Sequence, residues 1–214
     1  MMKRFLIAAI VLLVSYAATA QEEATDTSWK KVYRAAAEKK HSLIHTKLEA
    51  GFDIPKAQLN GKVWLTLKPY FYASNEVELD AKGMDIKEVA IAKGAVRTKL
   101  QFDYDGMILK IKLDKTYKGG EAYTVYIDYT AKPNEFKAKG SAAISDAKGL
   151  YFINEKGEDK TKPTQIWTQG ETEGTSVYVP TIDRPNQKST QEFYLTVPNK
   201  WVTLSNGKLM SQKP

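Results

Sequence analysis

The stretch "DGMILKIKL", Asp105–Leu113, joins a turn dipeptide to an alternating run. Met107, Leu109, Ile111 and Leu113 fall on one side of an extended chain, and Ile108, Lys110 and Lys112 on the other. Successive side chains of a strand point to opposite faces, so the pattern predicts a half-buried β-strand entered through a tight turn. The same period of two runs through Val63, Leu65 and Leu67 against Trp64, Thr66 and Lys68. It returns in Tyr123, Val125, Ile127 and Tyr129, and in Phe193, Leu195 and Val197. Asn60-Gly61, Asp105-Gly106 and Gly119-Gly120 lie between the runs as turn signals. Together these predict an all-β fold, an antiparallel curved β-sheet or sandwich. Asn206-Gly207, between the apolar runs of "WVTLSNGKLM", predicts a further hairpin near the end of the sequence.

The beginning reads differently. Lys3-Arg4 precede the apolar run Phe5–Val14 and the small-residue ending Ala18-Thr19-Ala20, the plan of a secretory leader over residues 1–20. Residues 21–41 read as a polar linker and a short surface helix, "WKKVYRAAAEKK" from Trp29 to Lys40. The β-domain is expected over 42–214, with Ala131–Lys148 as an extended polar loop. An exported chain, periplasmic or secreted, follows from the leader, and with no cysteine it uses neither disulfides nor thiol chemistry. The run Phe5–Val14 is too short to span a bilayer, so no membrane association is expected once the leader is removed.

The formal charge of +7 falls to +5 when Lys3 and Arg4 leave with the leader. Only four of the 32 basic residues are arginine, the side chain that reads nucleic acids by bidentate contacts. We read the charge as a solvated lysine surface, with no nucleic-acid partner.

Few residues could carry catalysis. The two histidines, His41 and His45 in "HSLIH", have the spacing of a zinc-protease helix, but Ser42 stands where that motif has its glutamate. The segment also leads into an alternation through Leu43, His45 and Lys47, which sets the two rings about 13 Å apart along a strand. No Gly-x-Ser-x-Gly elbow is present, and Gly119-Gly120 lacks the following Lys-Ser or Lys-Thr of a phosphate loop. Glu171 and Glu173 share a face if extended, but as neighbouring loop acids they read as solvated charge rather than as a hydrolytic pair.

The acids lie in "WTQGETEGTSVYVPTIDRPNQKST", Trp167–Thr190. Its "TQGETEG" followed by "VPTIDRPNQKSTQEFYLTVPNKWVTLSNGKL" resembles the N-terminal domain of zinc aminopeptidases of the aminopeptidase N and leukotriene hydrolase family: a Gln-x-Glu loop, a Pro-x-x-Asp-x-Pro turn, a strand and a Ser-Asn-Gly hairpin. Upstream, "HTKLEAGFDIPKAQLNGKVWLTLKPYFYASNEVELDAKGMDIKEVAI" resembles the first strands of that domain, with a Leu-x-Gly turn and a strand ending in Leu79-Asp80. The likeness covers His45–Pro214.

The resemblance implies a saddle-like β-domain packed in cis against a thermolysin-like catalytic domain. Glu171 would meet the α-ammonium at a peptide substrate's N-terminus, and Gln169 would line the pocket for the first side chain. The family's Gly-x-Met-Glu-Asn strand and His-Glu-x-x-His helix do not occur in this sequence, so zinc is expected in a catalytic domain absent here, with no metal bound by this segment and no hydrolysis by it alone. The sequence is then either the front portion of a larger aminopeptidase, truncated at its C-terminal end, or a stand-alone relic of the domain. Glu173 reads as a solvated loop acid, and Asp183, Arg184 and Pro185 as turn-formers. The alternative is a non-catalytic exported β-sandwich binding a protein or glycan through Trp64, Tyr70, Phe71 and Tyr72, although core packing would equally occupy alternate members of that cluster.

Overall fold

The computed structural model describes Ala35, residues 38–137 and residues 147–213. The chain divides at Glu38, and the fold described is that of the unit from Lys39 onward. The expected leader and linker lie outside the described residues. So does the expected helix, apart from Ala35 and residues 38–40, which are not helical.

Eleven strands form among the described residues: β1 (His41–Asp53), β2 (Gln58–Pro69), β3 (Ser74–Asp80), β4 (Met84–Lys93), β5 (Val96–Lys99), β6 (Gln101–Tyr104), β7 (Ile108–Tyr117), β8 (Tyr123–Ala131), β9 (Leu150–Ile153), β10 (Gln165–Thr168) and β11 (Thr190–Thr196). They build a six-stranded sheet, β11-β1-β2-β8-β4-β5, a three-stranded sheet, β3-β7-β6, and the β9–β10 hairpin. The alternating residues form the core: Val63, Leu65 and Leu67 of β2 and Val125, Ile127 and Tyr129 of β8 join Val77 and Leu79 of β3 and Leu109, Ile111 and Leu113 of β7 in one buried cluster. The opening stretch thus supplies part of the inner face of the three-stranded sheet. Met107, one step before β7, is exposed.

Two features depart from simple alternation. A register shift in β1 between Leu43 and His45 reverses the facing of the strand. His41 and Leu43 point inward before it; Thr46, Leu48 and Ala50 point inward after it. One extra residue in a bulge exchanges the two faces. His41 and His45 are both on the strand, as expected, but on opposite faces.

The second departure is β11, which pairs with β1 in parallel, His45 opposite Thr190 and Gly51 opposite Thr196. The large sheet is therefore mixed rather than wholly antiparallel. A tight hairpin forces antiparallel pairing, whereas β11 reaches β1 through a long connection that leaves its direction free. Phe193 and Leu195 are exposed on this edge strand, and Val197 lies just beyond it. Asn206-Gly207 forms a bend, but its flanks form no strands. Val202, Leu204, Leu209 and Met210 are exposed there, and an isolated two-stranded hairpin with no packed face is marginal.

Candidate substrate-anchoring site

The site grows from the β9–β10 hairpin. Asn154, at its turn, has φ of 49° and fixes the crossing: its side-chain amide donates to the Asp159 and Lys162 carbonyls, at 2.8 and 2.7 Å, and its Oδ1 accepts from the Asp159 N–H. Asparagine tolerates this left-handed backbone because its short amide can bond locally. At the open end, the Gln169 N–H donates to the Gly149 carbonyl at 2.9 Å.

From there the chain leaves as a compact loop. The Gly174 N–H donates back to the Gly170 carbonyl at 2.9 Å, and a single 3-10 turn, Thr175–Val177, follows. Gly149 and Gly174 touch backbone to backbone: a Cβ on Gly149 would lie 1.8 Å from the Gly174 carbonyl oxygen, and the Gly149 φ is +70°. Only glycine satisfies both conditions.

The loop brings Gln169 and Glu171 together. Gln169 Nε2 donates to Glu171 Oε2 at 3.3 Å, and the Glu171 N–H donates to Gln169 Oε1 at 3.0 Å. Glu171 is exposed, and this amide is the one side-chain partner of its carboxylate among the described residues.

Glu173, expected from the sequence as a solvated loop acid, has a side chain 43% exposed and also meets two cations. Arg184 Nη1 bonds its carboxylate, and Lys82 Nζ lies 3.8 Å from its other oxygen. Lys82 Nζ also donates to the Glu173 backbone carbonyl at 2.9 Å, and the Ser176 hydroxyl donates to that carbonyl at 3.1 Å. These contacts differ in weight. The Arg184–Glu173 pair is 43% exposed on both sides, where such pairs are worth about 0–1 kcal/mol. The Lys82 side chain is only 16% exposed, and a charged donor on a shielded carbonyl contributes roughly 1.5–3 kcal/mol.

Asp183 and Arg184 do more than form a turn. Asp183 Oδ2 accepts from the Ser176 N–H at 2.8 Å, while the Asp183 N–H donates to Asp80 Oδ2 at 2.9 Å. Asp80 and Thr181 exchange backbone hydrogen bonds at 2.7 and 3.0 Å, and the Lys82 N–H donates to the Ser176 carbonyl at 2.8 Å. The turn after β3 therefore holds the segment from Glu173 to Asp183. Leu79-Asp80 is visible in the sequence as a motif, but the contacts of Asp80 and Lys82 are not, because their partners lie 103 and 91 positions away.

The profile of the Peptidase M1 N-terminal domain family matches residues 39–214. This chain belongs to the M1 peptidase family. The M1 match covers the entire β-domain, including the Gln169–Glu171 loop. No curated protein sequence matches the chain significantly. Among solved structures, a mutant M1 zinc metallopeptidase from Deinococcus radiodurans bound to a Tyr-Ser-Ala substrate is 17% identical, with a TM-score of 0.68 over 86% of this chain and 38% of its own. A two-domain M1 zinc metallopeptidase mutant bound to L-arginine is 16% identical, with a TM-score of 0.62 over 78% and 35%. Leukotriene A4 hydrolase from Saccharomyces cerevisiae is 19% identical, with a TM-score of 0.54 over 80% and 27%. At these identities the likeness is one of fold. The M1 domain spans between a quarter and two fifths of the length of these structures.

M1 peptidases are zinc hydrolases, but the described residues of this domain do not fit the metal. Among the described residues no three His, Asp or Glu side chains converge to hold an ion. His41 Nε2 is buried without a hydrogen-bond partner, yet His45 faces the other way, against Thr190 and Glu192 of β11.

The aromatic cluster divides. Trp64 packs on Tyr126 with ring centroids 4.9 Å apart and the planes tilted by 54°, and Lys47 lies over the Trp64 ring. Tyr70, Phe71 and Tyr72 are instead 51%, 75% and 78% exposed, so none of these three packs in the core.

Proposed function

We propose that this chain is the substrate-anchoring N-terminal domain of an exported zinc aminopeptidase that removes residues from the N-termini of peptides. The observation that carries the reading is Glu171: an exposed carboxylate, partnered by Gln169, on a loop fixed at both ends within an M1 domain. A peptide's α-ammonium offers a full charge and three donors to such a carboxylate, forming a short charge-assisted hydrogen bond. An internal peptide nitrogen offers neither the charge nor the spare donors, so the loop selects chain ends. Gln169 holds Glu171 in place through its amide and lines the space for the first side chain. In the family's catalytic domain zinc supplies Lewis-acid activation of the carbonyl and of water. Export rests on the leader-like residues 1–20.

The exposed Tyr70-Phe71-Tyr72 run supports a second reading, a non-catalytic module that binds protein or glycan. One experiment separates the two. In the aminopeptidase containing this chain, Glu171→Gln is expected to lower kcat/KM on a free-amine dipeptide about 100-fold, the cost of an unpaired charge at the recognition point. Unchanged turnover rejects the anchoring role.

A further inference from the structure

We infer that Lys82 is a positioning residue for substrate, acting through Glu173 to hold Glu171 as the single uncompensated acid of the loop. The inference rests on the anchoring reading of Glu171. Two acids lie two positions apart, and the structure treats them oppositely. Glu173 carries two cations, Lys82 and Arg184, whereas among the described residues Glu171 has only a neutral amide. The loop therefore presents one negative charge outward, which matches one ammonium.

Lys82 is the member that spans the parts. Its Nζ reaches both the carbonyl and the carboxylate of Glu173, and its backbone N–H holds the Ser176 carbonyl. The Glu173 carbonyl is two peptide units from the Glu171 Cα, so a tether there restricts where the Glu171 carboxylate can sit. The tether also originates outside the loop, at the end of β3, whose Val77 and Leu79 are buried in the core. Core packing is thereby transmitted to the recognition carboxylate. Without the tether, substrate would have to order the loop on binding, which weakens affinity rather than the chemical step.

The test compares Lys82→Met, Lys82→Arg and Glu173→Gln in the aminopeptidase containing this chain, with amide hydrogen exchange measured on the 214-residue chain. Lys82→Met is expected to raise KM for a free-amine dipeptide roughly tenfold with kcat within about twofold, the loss of one charge-assisted bond. Lys82→Arg should recover most of the loss, and Glu173→Gln, which keeps the backbone carbonyl, should cost less than Lys82→Met. The Gly174 and Ser176 amides should exchange faster in Lys82→Met while the β8 amides stay protected. A merely structural lysine would instead lower the melting temperature and the active fraction, leaving KM unchanged, and that result overturns the inference. Glu171→Gln separates the two claims. If it raises KM but Lys82→Met does not, the tether fails alone; if it leaves KM unchanged, anchoring fails and the tether with it. Combined, Glu171→Gln and Lys82→Met should be less than additive, because both act on one carboxylate.

Discussion

The ring of Tyr129 lies directly over Gly61 on the neighbouring strand: a Cβ on Gly61 would sit 2.4 Å from Tyr129 Cζ. The two are register partners across β2 and β8. The ring is fully buried, and its hydroxyl crosses the core to donate to the Tyr178 carbonyl at 2.8 Å. Burial pushes this phenol well above its ordinary pKa, so it remains a donor at all working pH values. The contact ties the large sheet to the segment that carries the site.

Gly61→Ala is therefore expected to destabilise the fold by about 1–3 kcal/mol, the cost of overpacking a filled core. Tyr129→Phe should cost roughly 1 kcal/mol by removing the one bond to Tyr178. Urea unfolding of the purified protein checks both. A neutral Gly61→Ala would show that the ring relaxes without penalty.

Gly149→Ala should loosen the site while sparing the sheets. Its methyl would strike the Gly174 carbonyl, and the left-handed backbone adds about 1–2 kcal/mol for an L side chain. Limited proteolysis is expected to cut between residues 169 and 176 in the variant and not in the parent. Equal resistance would mean that the hairpin and loop are held elsewhere.

Stability should fall as the solution is acidified below about pH 6.5, the ordinary histidine value. His41 is held below that value by burial, then by the neighbouring Lys40, with Glu76 opposing them. Its ring meets Tyr123 edge-on at 6.2 Å and finds no hydrogen-bond partner at Nε2. The unfolded chain thus binds the proton more readily than the folded one, and stability present above pH 6.5 is lost as pH falls toward the depressed folded value. Melting temperatures at pH 7.5 and 5.5 test this, and His41→Phe should flatten that slope. An unchanged slope in His41→Phe would assign the acid sensitivity to other groups.

Replacing Tyr70, Phe71 and Tyr72 together by serine should leave unfolding free energy within about 0.5 kcal/mol per site, because none is in the core. Their backbone is held independently, by the Tyr70 N–H on the Lys40 carbonyl and by Gly119 lying against the Phe71 carbonyl. Solubility should rise as the apolar run disappears. A large loss of stability would show that the rings cover the fold.

The strands were legible because alternation is a property of neighbouring residues. Leu109, Ile111, Val125 and Ile127 declare their facing within their own segments, and hydrophobic burial enforces it. Gln169 and Glu171 stand two positions apart in a short local pattern, and the fold keeps them in contact. The bulge before His45 was not legible, since it is settled by how β1 pairs with β2. Nor was the parallel direction of β11, which its long connection leaves to packing. Most clearly, Glu173 reads from the sequence as an acid two positions from Glu171, whereas its ion pairing with Lys82 and Arg184 is a product of the fold. Its partner Lys82 stands 91 positions away, and electrostatic pairing depends on distance in space, which the packing of β3 against the core sets.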